Sequence, residues 1–254
     1  MKRYTLLLIC IFSLLGTLFA QQENEGLFTQ ANNAYNAGSY DTAVVLYEKI
    51  VASEMESVPL FYNLGNAYYK MHEVPLAIYY YEKALKLDPS NEDVQANLAI
   101  ANMAIVDKIE PVPQTFFARI WRNARAKLSS DQWAWCSIIA FGLLLFALFL
   151  FLRSRRIGLR KLGFFSGIIF LVVFAFSVIF AIQLKQVASV QDQAIIMTPT
   201  VTVKSMPNDD TSVDLFVLHE GTKVTLVETS NGWNKIRIAN GSVGWLEADK
   251  MLTF

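Results

Sequence analysis

Two uninterrupted apolar runs, Trp133–Leu152 and Leu162–Leu184, limit this chain more than any other feature. They are 20 and 23 residues long and hold no charged residue. At about 1.5 Å per helical residue, each reaches across a hydrocarbon core of ~30 Å. The 254-residue chain is 54 % hydrophobic and only 17 % charged, too apolar for one soluble globule. Between the runs, residues Arg153–Lys161 carry five cations and no acid. By the positive-inside rule this stretch is a cytoplasmic loop, so residues 133–152 and 162–184 are predicted to form a two-helix transmembrane hairpin joined by loop 153–161.

The N-terminus sets the orientation. Lys2 and Arg3 precede the apolar run Leu6–Leu15, and Leu18-Phe19-Ala20 follows. Residues 1–20 thus have the tripartite form of a secretory signal peptide. An uncleaved anchor is the alternative, and either reading places residue 21 onward outside the cytoplasm. Two spans return the chain to the side it started from. The expected protein is therefore a two-pass protein of a bacterial inner (cytoplasmic) membrane, with both soluble domains periplasmic.

Charge is partitioned to match. Residues 23–110 carry 13 acids against 5 bases, and residues 111–161 carry 9 bases against one acid. The bases flank apolar spans, where lipid headgroups favour them, so no nucleic-acid partner is expected. Cys10 and Cys136 both lie in apolar runs, which excludes a disulfide, a thiol nucleophile or a cysteine metal site from the soluble parts. The basic linker, 109–132, places Phe116, Phe117, Ile120, Trp121, Ala124 and Leu128 among its cations. It reads as an amphipathic helix, either lying on the membrane surface or packed on the preceding domain. Gly163 and Gly167 form a GxxxG pair, a weak signal for close helix approach.

Residues 25–105, within an expected repeat domain spanning 21–108, contain an internal repeat of period 34. Ala31-Asn32 and Tyr35 recur as Gly65-Asn66 and Tyr69, Ala43 as Ala77, and Tyr47-Glu48-Lys49 as Tyr81-Glu82-Lys83. Leu64-Gly65 recurs once more as Leu98-Ala99. Small residues let paired helices cross closely, and the tyrosines fill the space between them. Asp88-Pro89-Ser90-Asn91 stops one helix and caps the next. The second copy, with Phe61, Leu64, Gly65, Tyr68, Ala77, Tyr81, Ala84 and Pro89, closely resembles the tetratricopeptide repeat (TPR). The first copy is looser. About two and a half repeats are expected, forming an all-α TPR solenoid. The resemblance implies a concave face that holds an extended peptide or a helix. Here that face would carry Phe28, Asn32, Tyr35, Tyr62, Asn66, Tyr69, Asn97 and Ile100. Asparagine both donates and accepts, so it suits a peptide backbone. A clamp for a C-terminal carboxylate would need Lys or Arg where Phe28, Asp93 and Asn97 stand.

Beyond Lys185 the pattern turns to short strands. Thr200–Val203, Thr222–Val227 and Trp233–Ile238 alternate as half-buried strands, with turn signals at 207–210, 220–221, 231–232 and 240–241. Residues 194–254 resemble a bacterial SH3-type domain through Val203, Pro207, Gly221, Val224, Trp233, Ile236, Gly241 and Gly244-Trp245. That implies an all-β SH3-like barrel, which in some relatives contacts cell-wall peptide. Trp233 and Trp245 are read as core or rim residues, and Phe216 as part of a longer, exposed connection. His72 and His219 have no spaced catalytic or metal partner, and no Walker or GxSxG motif occurs. No enzyme, cofactor or metal is expected.

The order of parts, together with Ser129-Ser130-Asp131-Gln132-Trp133-Ala134-Trp135 leading into the first span, resembles the BatE family of the Bat aerotolerance group. That resemblance implies membrane partners bearing von Willebrand A domains and a MoxR-type ATPase system. The function expected is a scaffold that gathers membrane and periplasmic proteins through the TPR groove. The alternative is a peptidoglycan-binding tether acting through the SH3-like domain.

Overall fold

The computed structural model describes residues 23–113, 115–208 and 211–254. The expected signal peptide at 1–20, and Asp209-Asp210 of one turn, lie outside the described residues. Three parts follow in order: helical repeats, an apolar helical hairpin and an antiparallel sheet.

The repeats comprise α1 (23–36), α2 (Tyr40–Ala52), α3 (Val58–Lys70), α4 (Val74–Leu87) and α5 (Glu92–Ala104). Their core holds Tyr47, Ile50, Leu60, Phe61, Leu64, Ile78 and Tyr81, all fully buried. Gly65 is needed for the closest crossing, since a Cβ there would sit 2.7 Å from the Tyr81 ring. The turns between paired helices also repeat: Gly38 (φ 80°) and His72 (φ 65°), 34 positions apart, are both left-handed. Asn91 caps α5 by accepting from the Val94 amide at 3.1 Å. In α5, Gln95 and Asn102 stand 34 positions after the buried Phe61 and Tyr68, and both are exposed. Polar residues where a paired helix would stack make α5 a solvated end to the array.

Helix α6 (Phe116–Arg125) is capped by Thr115 and strongly amphipathic. It rests on the hairpin rather than on the repeats. The Trp121 ring lies 4.9 Å from Phe180 and 5.9 Å from Phe176, centroid to centroid. Phe116, Phe117 and Ile120 stay exposed. Helices α7 (Ser130–Arg153) and α8 (Ile157–Ser189) are both long and apolar enough to cross a membrane, and little of either is buried. Their covered positions include Trp133, Ser137, Ala140, Leu144, Ala147 and Phe151 on α7, facing Gly163, Gly167, Phe170, Phe174, Ser177, Ala181 and Leu184 on α8. Alternating steps of four and three define a coiled-coil seam. A Cβ on Gly163 would lie 2.7 Å from the Ala147 carbonyl, so the GxxxG pair faces the close approach.

Among the described residues the sheet module has seven strands: β1 (Gln193–Ile196), β2 (Thr200–Lys204), β3 (Asp214–His219), β4 (Lys223–Ser230), β5 (Trp233–Arg237), β6 (Val243–Glu247) and β7 (Met251–Thr253). The order is β3-β2-β6-β5-β4-β1-β7, antiparallel throughout. Residues from every strand share one core, including Ile196, Val203, Leu218, Val224, Ile236, Leu246 and Met251, so the sheet curls around its own interior. Asn231-Gly232 joins β4 to β5 with φ positive at both residues (49° and 81°), as a two-residue hairpin requires. Phe216 is not in an exposed connection. It lies on β3 and packs against this core. The run Leu215-Phe216-Val217-Leu218 is apolar on both faces, so it shows no alternation to mark it as a strand.

The sheet module is docked on the outer side of α4. Ile195 and Phe254 complete the core of the repeats. Tyr79 packs edge-on to Phe254 at 5.6 Å and donates to the Thr253 carbonyl at 3.2 Å. Lys223 pairs with Glu82 at 2.6 Å, and Lys86 donates to the Val190 carbonyl. The segment after α5 forms a second clasp. One Asp107 carboxylate oxygen accepts from the His219 amide and the Thr222 hydroxyl, both at 2.7 Å, and the other lies 2.8 Å from His219 Nδ1. Ile109 then joins the sheet core, and the Val112 amide donates to the Ala239 carbonyl.

Candidate functional site

With α4 occupied on its outer side, the open concave surface is the inner face of α1, α3 and α5. Two neighbouring hollows lie on it. Asn32, Tyr35, Asn36, Tyr47 and Asn63 line the first. Tyr35, Tyr62, Asn66, Tyr69, Lys70, Tyr81, Asn97 and Ile100 line the second, of about 280 Å³. Tyr35 is shared between them and is held edge-on by Tyr40 at 5.2 Å.

The period of 34 builds the same hydrogen-bonded unit twice. Asn32 Oδ1 accepts from the Tyr47 hydroxyl at 2.6 Å and from Asn63 Nδ2 at 3.0 Å. One repeat later, Asn66 Oδ1 accepts from the Tyr81 hydroxyl and from Asn97 Nδ2, both at 2.7 Å. Asn97 Nδ2 also reaches the Tyr62 hydroxyl at 3.2 Å. In each unit a tyrosine from the second helix and an asparagine from the following repeat fix the side chain of one asparagine. Its carbonyl oxygen is consumed internally, while its amide Nδ2 has no partner among the described residues. The following asparagine keeps its Oδ1 unpaired in the same way.

The hollows contain no acid, and Lys70 is the cation among their lining residues. Burial raises the phenol pKa of Tyr47 to about 12 against the pull of the Asn63 hydrogen bond. Burial also raises Tyr81 and Tyr35. All three phenols stay protonated at physiological pH, and those of Tyr47 and Tyr81 donate to Asn32 and Asn66.

Of the residues expected on this face, Asn32, Tyr35, Tyr62, Asn66, Tyr69, Asn97 and Ile100 line the hollows. Phe28 does not. It is half-buried, 5.8 Å from the Tyr47 ring, and belongs to the core margin. Asn63 and Lys70 were not among them. Asn63 recurs as Asn97 at the repeat period, which is the signal that identifies it; Lys70 has no such signal. The lysine brings one cation to the rim, although the carboxylate-clamp positions, Phe28, Asp93 and Asn97, carry none. His219 has a partner in Asp107, but the pair ties two domains together and, among the described residues, no nucleophile is bonded to it. Among the described residues, no cluster of His, Cys, Asp or Glu could hold a metal ion.

Comparison with known families matches residues 58–91 to the tetratricopeptide repeat. Comparison with curated proteins gives no match. The matched residues are α3, α4 and the turn that caps α5, the repeat at the centre of this surface. The chain therefore carries a tetratricopeptide repeat, embedded in a longer set of helical repeats.

Proposed function

We propose that this protein is a non-enzymatic scaffold, anchored in the bacterial cytoplasmic membrane by α7 and α8, that holds envelope proteins in its TPR groove. The observation that carries this reading is the division of labour between the two faces of the repeats. The outer face is spent on docking the sheet module, whereas the inner face stays open and presents oriented, unpaired amide groups. The basic stretch Arg153–Lys161, which runs from the end of α7 through the short turn 154–156 into the start of α8, supports a two-pass topology with both folded parts on the outer side. The BatE resemblance favours partners with von Willebrand A domains in a MoxR-type aerotolerance or envelope-stress system.

A photocrosslinking residue at Tyr69, in the groove, tests this against one at Lys49, exposed on α2. Distinct protein adducts from Tyr69 alone are expected in intact cells. Reporter fusions at 105, 157 and 254 should be active in the cytoplasm only at 157. A second reading has its own support: a hollow on the sheet module lined by Thr200, Thr202, Lys204, Trp233, Glu247 and Lys250 could hold cell-wall peptide. If Tyr69 gives no adducts while the protein sediments with peptidoglycan in a Trp233-dependent way, the tether reading replaces the scaffold.

A further inference from the structure

The groove's partner can be described from the spacing of its polar atoms; this rests on the groove being the binding site. Each interlocked asparagine pair leaves two groups unpaired: Nδ2 of Asn32 with Oδ1 of Asn63, and Nδ2 of Asn66 with Oδ1 of Asn97. One donor beside one acceptor complements the C=O and N–H of a single peptide residue. The direct bonds from Asn63 to Asn32 and from Asn97 to Asn66 place α1, α3 and α5 side by side. Packed helix axes lie about 8–10 Å apart, so the two couples are separated by roughly that distance along the groove.

That spacing discriminates among backbone conformations. A β-strand turns the same edge to a surface every second residue, at about 6.6 Å and again at about 13 Å, and neither value fits. An α-helix has no free backbone groups to offer. Polyproline II rises about 3.1 Å per residue with three residues per turn, so its same-facing groups recur about every 9.3 Å, and its backbone is otherwise unpaired. The groove wall agrees with this. Tyr35, Tyr62 and Tyr69 line it, and aromatic-lined grooves suit the packed ridges of such a helix. We infer that the groove binds an extended protein segment in the polyproline II conformation, reading the backbone N–H and C=O of two residues three positions apart.

The register requirement makes this testable. A segment of repeated Pro-Pro-Ala offers an N–H at every third residue and satisfies both couples. Repeated Pro-Ala also forms polyproline II but puts N–H groups at every second residue, so only one couple can receive an N–H. Oligoproline has none. Fluorescein-labelled (Pro-Pro-Ala)4, (Pro-Ala)6 and (Pro)12 would be titrated by anisotropy against the full-length protein in nanodiscs. The expected order is (Pro-Pro-Ala)4 tightest, (Pro-Ala)6 weaker by roughly fivefold, and (Pro)12 weaker by roughly thirtyfold, the worth of one and two hydrogen bonds. Tyr69→Ala, which removes a groove wall but no internal hydrogen bond, should weaken the first peptide, while Lys49→Ala on α2 should not. Equal affinity for the three peptides, or none for any, overturns the inference. If none binds while Tyr69 still crosslinks protein partners in cells, the scaffold reading stands and only the polyproline II reading falls. If crosslinking also fails, both fall.

Discussion

Replacing Asp107 with alanine should loosen the sheet module from the helical repeats. Asp107 is only 13 % exposed and accepts from the His219 amide, His219 Nδ1 and the Thr222 hydroxyl at 2.7–2.8 Å. A hydrogen bond to a charged group contributes about 1.5–3 kcal/mol net. When the module undocks, these groups regain water, so the three bonds do not simply add. The expected loss is about 2–4 kcal/mol, or roughly a thirtyfold to thousandfold faster exchange of the His219 amide. Hydrogen exchange read at that amide is the suitable assay, because global melting of a multi-part protein is not two-state. Lys223→Met, which removes the more exposed pair with Glu82, should change the same rate by less than about 1 kcal/mol. The effect also has a pH signature. Burial pushes the Asp107 carboxyl upward, but hydrogen bonds from Thr222 and His219 outweigh it and hold it below 3.8. A depressed carboxylate stabilises docking above its ordinary value, and that contribution is lost as pH falls through the lower, folded value. The wild type should therefore exchange the His219 amide faster as pH falls into acid below about pH 4, and Asp107→Ala should show no such step. Unchanged His219 exchange in the alanine variant would refute the clasp.

Gly65→Ala should destabilise the repeats by about 1–3 kcal/mol, read as a lower midpoint in helical circular dichroism, because the new Cβ would sit 2.7 Å from a tyrosine ring that Asn66 holds in place. His72→Gly should stabilise the repeats by about 0.5–1 kcal/mol and raise that midpoint, since it removes a side chain from a left-handed backbone that glycine already adopts at the equivalent position 38.

Much of the architecture was legible because it rests on local or periodic signals. Charge-free runs announce helices that can span a membrane. The recurrence of Ala31, Ala43 and Tyr47 as Gly65, Ala77 and Tyr81 announces stacked helix pairs, since small and large residues must alternate wherever two helices cross. Asn231-Gly232 announces a hairpin because few other residues tolerate two consecutive positive φ angles. Seven of the eight expected groove residues line the two hollows, and Phe28 packs beside them against Tyr47. Position on a helix does not by itself tell whether a ring lines a hollow or leans on the core beside it.

What tertiary structure alone decided is everything that depends on distant segments meeting. On α4, Tyr79, Glu82 and Lys86 have the polarity of a solvated face. They are partly covered because β1, β7 and the end of α8 arrive there from more than a hundred residues away. Asp107 and His219 look like unrelated loop residues, and no spacing rule links positions 112 apart. The asparagines were visible as groove residues, but their Oδ1 and Nδ2 atoms could not be assigned separately. Which end is consumed and which is offered depends on a tyrosine hydroxyl and a second asparagine brought in by helix packing, and the proposed backbone recognition rests on that orientation.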